Sequence, residues 1–312
     1  MKFLELRFVP LLAGAIAVAM SVQTTVKADE ALPGAMYSTD AVVTPGTVGN
    51  EFWIYEESTP GNLVLTNDAG QLHAVLRGHA GAPGGNLELF AWSELPGYVD
   101  ASSGGAFATV VPVTLSGVAG AFAFEFRRLN GTGWFGSTSG HDTTYGASTL
   151  ATEWFDGFMD HVAALSGGFV AAVLNANRGG LFDDWRDAGG FASLSDPNIG
   201  YVYQDGVGGN LRFGLEGFLD ASPRFQQFLT DAGYGAVAGF VPAGIQYSEV
   251  VMLNGAAFYS FGNATSSGVA LNDPFQSYTG TFAFVSSVPE PGGALLIGTI
   301  GVFLLLCRRK FP

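Results

Sequence analysis

Hydrophobic and polar residues alternate over several short stretches of the chain, which predicts β-strands with one buried face. The clearest case is 121–128, where Phe122, Phe124 and Phe126 fall on one side of the strand. The dipeptide Asn254-Gly255 lies between two such stretches and is typical of a two-residue hairpin turn. The other predicted strands are 51–55, 62–65, 71–76, 86–92, 108–115, 169–174, 199–203, 210–215, 249–253, 256–261 and 278–285.

Helical spacing of apolar residues appears in the middle of the chain. Over 149–165 the residues Trp154, Phe155, Phe158, Val162 and Leu165 recur every three or four positions, which predicts a helix. Thr149 or Thr152 would cap its start and Gly167-Gly168 would end it. A short helix is also predicted over 181–188, and another after Ser222-Pro223, an N-cap followed by a proline.

The composition favours strands over helices. The chain has 45 glycines and 26 phenylalanines, and only 13% of its residues are charged, a mixture that suits short strands, tight turns and close sheet packing. We therefore predict a single mainly β domain over 29–287, an antiparallel β-sandwich-like fold with two or three short helices inserted. A division near residue 148, into an all-β half and a mixed half, is the alternative.

The start of the chain has the parts of a secretory signal peptide. Two cations precede the apolar stretch 8–20, and a small-x-small sequence follows that ends at Ala28. We predict that 1–28 is a signal peptide and that cleavage separates Ala28 from Asp29. An uncleaved N-terminal membrane anchor is the alternative.

The chain ends in a segment, 288–312, that joins a proline-containing box, an uncharged apolar run and a basic cluster. As a helix, the run 292–307 would be about 24 Å long, which is less than the ~30 Å thickness of the hydrocarbon core of a bilayer. The alternative is therefore a helix buried inside the protein. Its place at the chain end and its flanking cations favour a transmembrane helix. The box contains Pro289, Glu290 and Pro291 (288–291), and the basic cytoplasmic end, 308–312, contains Arg308, Arg309 and Lys310.

This order of parts resembles the PEP-CTERM sorting signal, and the resemblance is confined to 288–312. It implies recognition by an exosortase, a membrane-bound transpeptidase-like enzyme, and cleavage near the tripeptide. It also implies an exported protein of a Gram-negative bacterium that makes extracellular polysaccharide. Because cations at both ends would stay in the cytoplasm, we expect 29–287 to cross the inner membrane. The protein would be anchored transiently and then reach the cell surface or the extracellular space.

Charge limits the partners of the exported part. Residues 29–287 hold 7 cations and 25 anions, a formal net charge of −18, and every cation is an arginine. Such a surface disfavours binding to nucleic acid or docking on anionic lipid. The single cysteine, Cys307, lies in the apolar run, so 29–287 has no disulfide, thiol nucleophile or thiolate metal site.

Candidate catalytic residues form no recognised motif. The histidines His73, His79, His141 and His161 lack metal-binding spacing such as His-Glu-x-x-His. His141-Asp142 lies in a Ser/Thr-rich loop, but no Gly-x-Ser-x-Gly sequence accompanies it. Carboxylates could pair for glycoside hydrolysis, although an exposed acidic helix face is the favoured explanation: Glu153, Asp156, Asp160, Asp183, Asp184 and Asp187.

Two binding chemistries remain open. Asp196-Pro197-Asn198 and 205–210 offer oxygen ligands near glycines, so calcium is a possible ligand, but the EF-hand spacing is absent and Asx turns explain the same residues. No other cofactor or metal site is predicted. Exposed tryptophans would suit stacking on sugars, although a place in the core is the alternative: Trp53, Trp92, Trp134, Trp154 and Trp185.

The sequence therefore predicts a cell-surface or extracellular-matrix protein with a structural or adhesive role and no enzymatic activity. Its expected partners are an exosortase-type enzyme and, through the C-terminal helix, the membrane. The first alternative is a module that binds carbohydrate, with the exopolysaccharide as partner. The second is a secreted hydrolase that uses carboxylates.

Overall fold

The structure is a computed structural model and describes residues 38–39, 52–59, 62–65, 71–76, 78–79, 82–89, 114–119, 122–136, 143–204, 210–266, 270–271 and 280–287. Its strands are β1 Ser38–Thr39, β2 Phe52–Thr59, β3 Asn62–Leu65, β4 Gly78–His79, β5 Ala82–Pro83, β6 Gly85–Leu89, β7 Thr114–Ala119, β8 Phe122–Arg127, β9 Asn198–Gln204, β10 Leu211–Phe218, β11 Tyr247–Ser248, β12 Val251–Leu253, β13 Ala256–Phe258, β14 Thr265–Ser266, β15 Ala270–Leu271 and β16 Gly280–Ser286. Its α-helices are α1 Leu72–Val75, α2 Gly131–Phe135, α3 Leu150–Ser166, α4 Gly168–Ala176, α5 Arg178–Asp187, α6 Ser222–Asp231 and α7 Gly235–Ala238, and Ala192–Leu194 forms a 3₁₀ turn.

Most described strands belong to two sheets. A nine-stranded sheet has the order β14-β16-β10-β9-β6-β2-β3-β15, with β11 also paired to β10, and a five-stranded sheet has the order β1-β7-β8-β12-β13. The pairs are antiparallel apart from β15 with β3. The predicted hairpin of 199–203 with 210–215 is confirmed as β9 and β10. The turn at Asn254-Gly255, with φ of 49° and 84°, joins β12 to β13 as predicted.

The two sheets share one hydrophobic cluster. Phe124 and Phe126 of β8 contribute from the five-stranded sheet, and Leu87 of β6 and Phe213 of β10 contribute from the nine-stranded sheet. The rings of Phe126 and Phe213 meet edge to face at 5.0 Å between centroids. The alternation read over 121–128 therefore identified the buried face of β8 correctly.

A second cluster lies among the helices and is rich in aromatic residues. The predicted helix is α3, and the Thr149 hydroxyl caps it by accepting a hydrogen bond from the Thr152 N–H at 3.4 Å. Gly167, with φ of 74°, ends it in a conformation that favours glycine. Along α3, Trp154 and Phe158 are fully buried and stack at 5.2 Å.

The helical part is larger than the sequence predicted, so the fold is a mixed one with antiparallel sheets and helices. The stretch 169–174, expected to be a strand, belongs to α4, where Val170 and Leu174 are buried four residues apart. A short apolar run has no periodicity that separates a buried helix from a strand. The stretch 71–76, also expected to be a strand, forms α1.

Two finer expectations also need correction. Ser222 was expected to cap a helix, but it is the first residue of α6, and the Asp220 carboxylate accepts from its N–H at 3.0 Å. Strand β6 was expected to bury one face, but its residues Gly85–Leu89 are all buried because it lies inside the larger sheet.

No helix in the described part of the chain is long and apolar enough to span a bilayer. The predicted signal peptide, 1–28, and the predicted sorting tail, 288–312, lie outside the described residues.

Candidate functional site

A short segment, Ser195 to Asn198, links the helices to both sheets. The Trp134 indole N–H donates to the Ser195 hydroxyl at 2.7 Å, and that hydroxyl donates to the Phe191 carbonyl at 2.6 Å. The Pro197 carbonyl accepts from the Leu89 N–H at 3.0 Å, which ties the segment to β6. The segment therefore serves as a buried connection between layers.

Asp196 and Arg128 bring opposite charges into this interior. Both are 1% exposed, and Arg128 directly follows β8 of the smaller sheet. Burial lowers the pKa of Arg128 to about 10, and the Asp196 carboxylate offsets part of that shift. Arg128 stays protonated at neutral pH, and a nearby anion offsets part of the cost of burying its charge, so Asp196 stabilises the end of β8.

Glu249 holds the start of β9. Its carboxylate accepts from the Asn198 backbone N–H at 2.6 Å and from the Asn198 side-chain amide at 3.4 Å. Glu249 lies between β11, which pairs with the larger sheet, and β12, which pairs with the smaller one. The Glu249–Asn198 contact therefore links the start of β9 to the segment in which the chain passes from the larger sheet to the smaller one.

Glu88 completes the group, which we call the junction cluster: Glu88, Arg128, Asp196, Asn198 and Glu249. Glu88 lies opposite Asn198 in the β6–β9 ladder and accepts from the Tyr55 hydroxyl at 3.2 Å. All five residues are at most 1% exposed. The hydrogen bonds and charges of these five residues connect the sheets and the helices. The contacts described for the cluster are therefore structural ones.

A further buried carboxylate, Glu216, lies on β10 next to the cluster. Its backbone carbonyl accepts from the Glu249 N–H at 3.2 Å. The Thr281 hydroxyl lies 2.9 and 3.1 Å from its two carboxylate oxygens. Burial raises the pKa of Glu216 to about 8, although the Thr281 hydrogen bond opposes the shift. Burial thus favours the protonated form of Glu216 at neutral pH.

The stretch suggested for calcium has a different role in its described part. Asp196 faces Arg128, and the Asp196 carbonyl accepts from the Asn198 side chain at 3.1 Å. Residues 205–209 lie outside the described residues. Among the residues that the structure describes, no group of three His, Cys, Asp or Glu side chains could hold a metal ion.

Four of the six candidate carboxylates on the helices form ion pairs with two arginines. Arg178 contacts Asp160 and lies 3.0 Å from Asp156, whose carboxylate also accepts from the Tyr145 hydroxyl at 2.7 Å. Arg186 pairs with two further carboxylates, at 2.7 and 2.8 Å: Asp183 and Asp187. Exposed pairs of this kind contribute up to about 1 kcal/mol each. The Arg178 pairs connect α3 to α5, whereas the Arg186 pairs lie within α5.

Of the four candidate histidines, His161 is the one whose side chain the structure describes. His161 on α3 is half-buried, stacks on Phe261 at 6.1 Å between centroids, and has its pKa lowered by burial. His73 lies in α1 and His79 in β4, and no side-chain geometry is described for either. His141-Asp142 lies outside the described residues.

Three of the five tryptophans are in the helical core. Trp134 and Trp154 are fully buried, and Trp185 is 8% exposed and stacks on Trp154 at 5.8 Å. They are therefore not accessible for stacking on a sugar ring. Trp53 lies in β2 without a described side chain, and Trp92 is outside the described residues.

Sequence reasoning missed Glu88, Arg128, Glu216 and Glu249. Glu88 and Glu216 interrupt strand patterns, and a lone carboxylate within an otherwise apolar or glycine-rich strand was the available signal. The predicted processing residues, by contrast, lie outside the described part: Ala28, Asp29, Pro289, Glu290, Pro291, Arg308, Arg309 and Lys310.

No family model matches the chain, and no curated protein and no solved structure is significantly similar to it.

Proposed function

We propose that the protein is an exported cell-surface or extracellular-matrix protein with a structural or adhesive role, sorted by a PEP-CTERM-type tail. The observation that carries the proposal is the order of parts in 288–312. A Pro-Glu-Pro box, an uncharged 16-residue run and three cations follow one another at the end of the chain. An exosortase-type enzyme is the proposed partner that recognises this tail.

The start of the chain supports the same topology. A positive end, an apolar stretch and a small-residue exit before Asp29 are the parts of a cleavable export signal. Cations at both ends and few between them favour translocation of the middle of the chain. The tail would then anchor the exported domain until it is processed.

The described residues are consistent with a structural role. The buried carboxylates of the junction cluster connect the sheets and helices, and four carboxylates on α3 and α5 pair with arginines. A net charge of −18 in 29–287 supports solubility in a matrix and disfavours nucleic acid as a partner. A sugar-stacking platform would need aromatic residues other than the three buried tryptophans.

Deleting 288–312 is expected to move the protein out of the membrane and cell-surface fractions and into the soluble exported fraction. The reason is that the apolar run supplies the proposed anchor. The measurement is quantitative immunoblotting of fractions from a Gram-negative host that carries an exosortase-type enzyme. An unchanged distribution would contradict the sorting proposal.

A variant of the Pro-Glu-Pro box tests cleavage of the tail separately from its membrane anchoring. Replacing Pro289, Glu290 and Pro291 with alanines keeps the apolar run, so we expect a membrane-bound chain that retains its full C-terminus. Glu125→Ala, at an exposed glutamate of β8, is the matched control and should be sorted as the wild type is. Normal processing of the box variant would exclude the tripeptide as a recognition element.

A further inference from the structure

The connection between β13 and β14 lies along one face of α3. We call this connection, residues 259–264, the latch segment, and it leads from the smaller sheet to the larger one. The Tyr259 hydroxyl donates to the Glu153 carboxylate at 3.1 Å. One turn further along α3, the Phe261 ring lies so close to Gly157 that a Cβ atom there would be 2.7 Å from it. The segment is therefore packed directly against the helix.

Phe261 covers part of the aromatic core. Its ring centroid is 5.6 Å from that of Trp154 and 6.0 Å from that of Phe158. Trp154 and Phe158 are fully buried, whereas Phe261 is only half-buried, so Phe261 forms the outer layer of this stack. The chain turns just after it through two residues with positive φ, Gly262 at 87° and Asn263 at 64°.

His161 lies under the same segment, four residues after Gly157 on α3. Its ring stacks on Phe261 with 24° between the two planes, and Gly262 lies against its edge. The His161 Nε2 atom is buried and has no hydrogen-bond partner in the described part of the chain. A neutral imidazole accommodates this, because one of its nitrogens carries no hydrogen, whereas a protonated imidazole must donate from both nitrogens.

The surroundings of His161 favour its neutral form. Burial lowers the pKa of His161 below its ordinary 6.5. The face of Phe261 favours a cation, but a buried N–H without an acceptor opposes one more strongly. Helix α4, which packs on α3, has no titratable residue, and burial raises the pKa of Tyr247 in β11 to about 12. The other titratable side chains of α3 and of the latch segment have partners: Asp156 and Asp160 contact Arg178 of α5, and Glu153 contacts Tyr259.

We propose that the contact between α3 and the latch segment is a pH-sensitive latch, in which protonation of His161 releases Phe261 from the aromatic core. The ring that packs under Phe261 is the unprotonated one, so the released segment leaves His161 with a higher affinity for a proton than the packed segment does. Falling pH therefore favours release, and release begins as pH drops through about 6.5, the ordinary pKa of histidine. The opened latch uncovers the stack of Trp154 and Phe158.

Hydrogen exchange of the full chain in detergent, followed by mass spectrometry, measures this opening. After correction for the intrinsic pH dependence of exchange, peptides over 259–264 should exchange at least about fivefold faster at about pH 5.5 than at about pH 7.5, the lower end of typical coupling between two linked equilibria. Peptides over β9 should not change, because β9 lies inside the larger sheet. His161→Phe keeps a ring against Phe261 and does not titrate, so its corrected exchange should be the same at both pH values.

A second variant separates the titrating group from an anchor of the segment. Tyr259→Phe removes the hydroxyl that donates to the exposed Glu153 and keeps the ring, so we expect faster exchange at both pH values with the pH dependence of the wild type. Equal pH dependence in the wild type and His161→Phe would overturn the proposal. So would an acid-induced increase that is as large in β9 as in 259–264, because the whole domain would then be unfolding. Either result would leave the sorting proposal intact.

Discussion

Replacing Glu249 with alanine is expected to lower the free energy of unfolding by about 2–6 kcal/mol, because two buried donors lose their acceptor at about 1–3 kcal/mol each. The donors are the backbone N–H and the side-chain amide of Asn198, which is fully buried. The loss is large because Glu249 is 1% exposed and water cannot replace it without opening the crossover between the sheets. Urea unfolding followed by tryptophan fluorescence measures the change, since Trp134 and Trp154 are buried.

Two controls define the result for Glu249. Glu249→Gln keeps an oxygen acceptor of nearly the same shape, so we expect a loss smaller than that of the alanine variant. Glu125→Ala removes an exposed glutamate from β8 and should change stability by no more than about 0.5 kcal/mol. If Glu249→Ala and Glu125→Ala had equal stabilities, the junction cluster would not hold the crossover.

The parts of the fold that the sequence predicted well are those in which one local signal dominates. Strand β8 shows period-two alternation of phenylalanines, and Phe124 and Phe126 do face the core. Helix α3 has both a cap at Thr149 and a stop at Gly167, and it forms between them. In each case the local pattern and the tertiary packing favour the same structure.

The parts that could not be predicted depend on contacts between residues distant in sequence. The run 169–174 is uniformly apolar, so only packing in the helical core decides that it forms α4. Glu88 is buried because β6 lies inside the nine-stranded sheet, a position set by strands from both halves of the chain. Glu249 is 51 residues from Asn198, and no spacing rule connects them.

The same limit applies to the candidate site. Asp196-Pro197-Asn198 was suggested for calcium because it offers oxygen ligands near glycines. Their partners lie far away in the sequence: Arg128 follows β8, and Glu249 lies between β11 and β12. A local sequence pattern indicates which possible ligand atoms are present. Burial and the tertiary partners of those atoms determine what they bind.

The wild-type protein is expected to lose stability, relative to Glu216→Gln, as pH rises from about 5 to about 8. The pKa of Glu216 is raised from 4.5 to about 8 in the folded state by burial. Between these values the unfolded chain has lost a proton that the folded chain still holds, so unfolding releases a proton and rising pH favours it. Below about pH 4.5 the Glu216 carboxyl is protonated in both the folded and the unfolded chain. The pH-dependent difference in stability between wild type and Glu216→Gln then vanishes.

The full effect is reached above the folded pKa of Glu216 and amounts to at most about 5 kcal/mol, at 1.36 kcal/mol per pKa unit. Glutamine has nearly the same shape and does not titrate, so the stability of the Glu216→Gln variant carries no pH dependence from this site. Titratable groups around Glu216 are Tyr201 and Glu249. Both are unchanged in the variant, so the difference curve isolates Glu216.

A second variant tests the cause of the pH dependence. The Thr281 hydroxyl hydrogen-bonds the Glu216 carboxylate and lowers its pKa against the effect of burial. Thr281→Val removes that hydroxyl at similar volume, so the pKa of Glu216 should rise further and the loss of stability should extend to higher pH. The measurement is urea unfolding from pH 4.5 to 9 for wild type, Glu216→Gln and Thr281→Val. Parallel curves for wild type and Glu216→Gln would show that the carboxyl of Glu216 has the same pKa in the folded and unfolded chains.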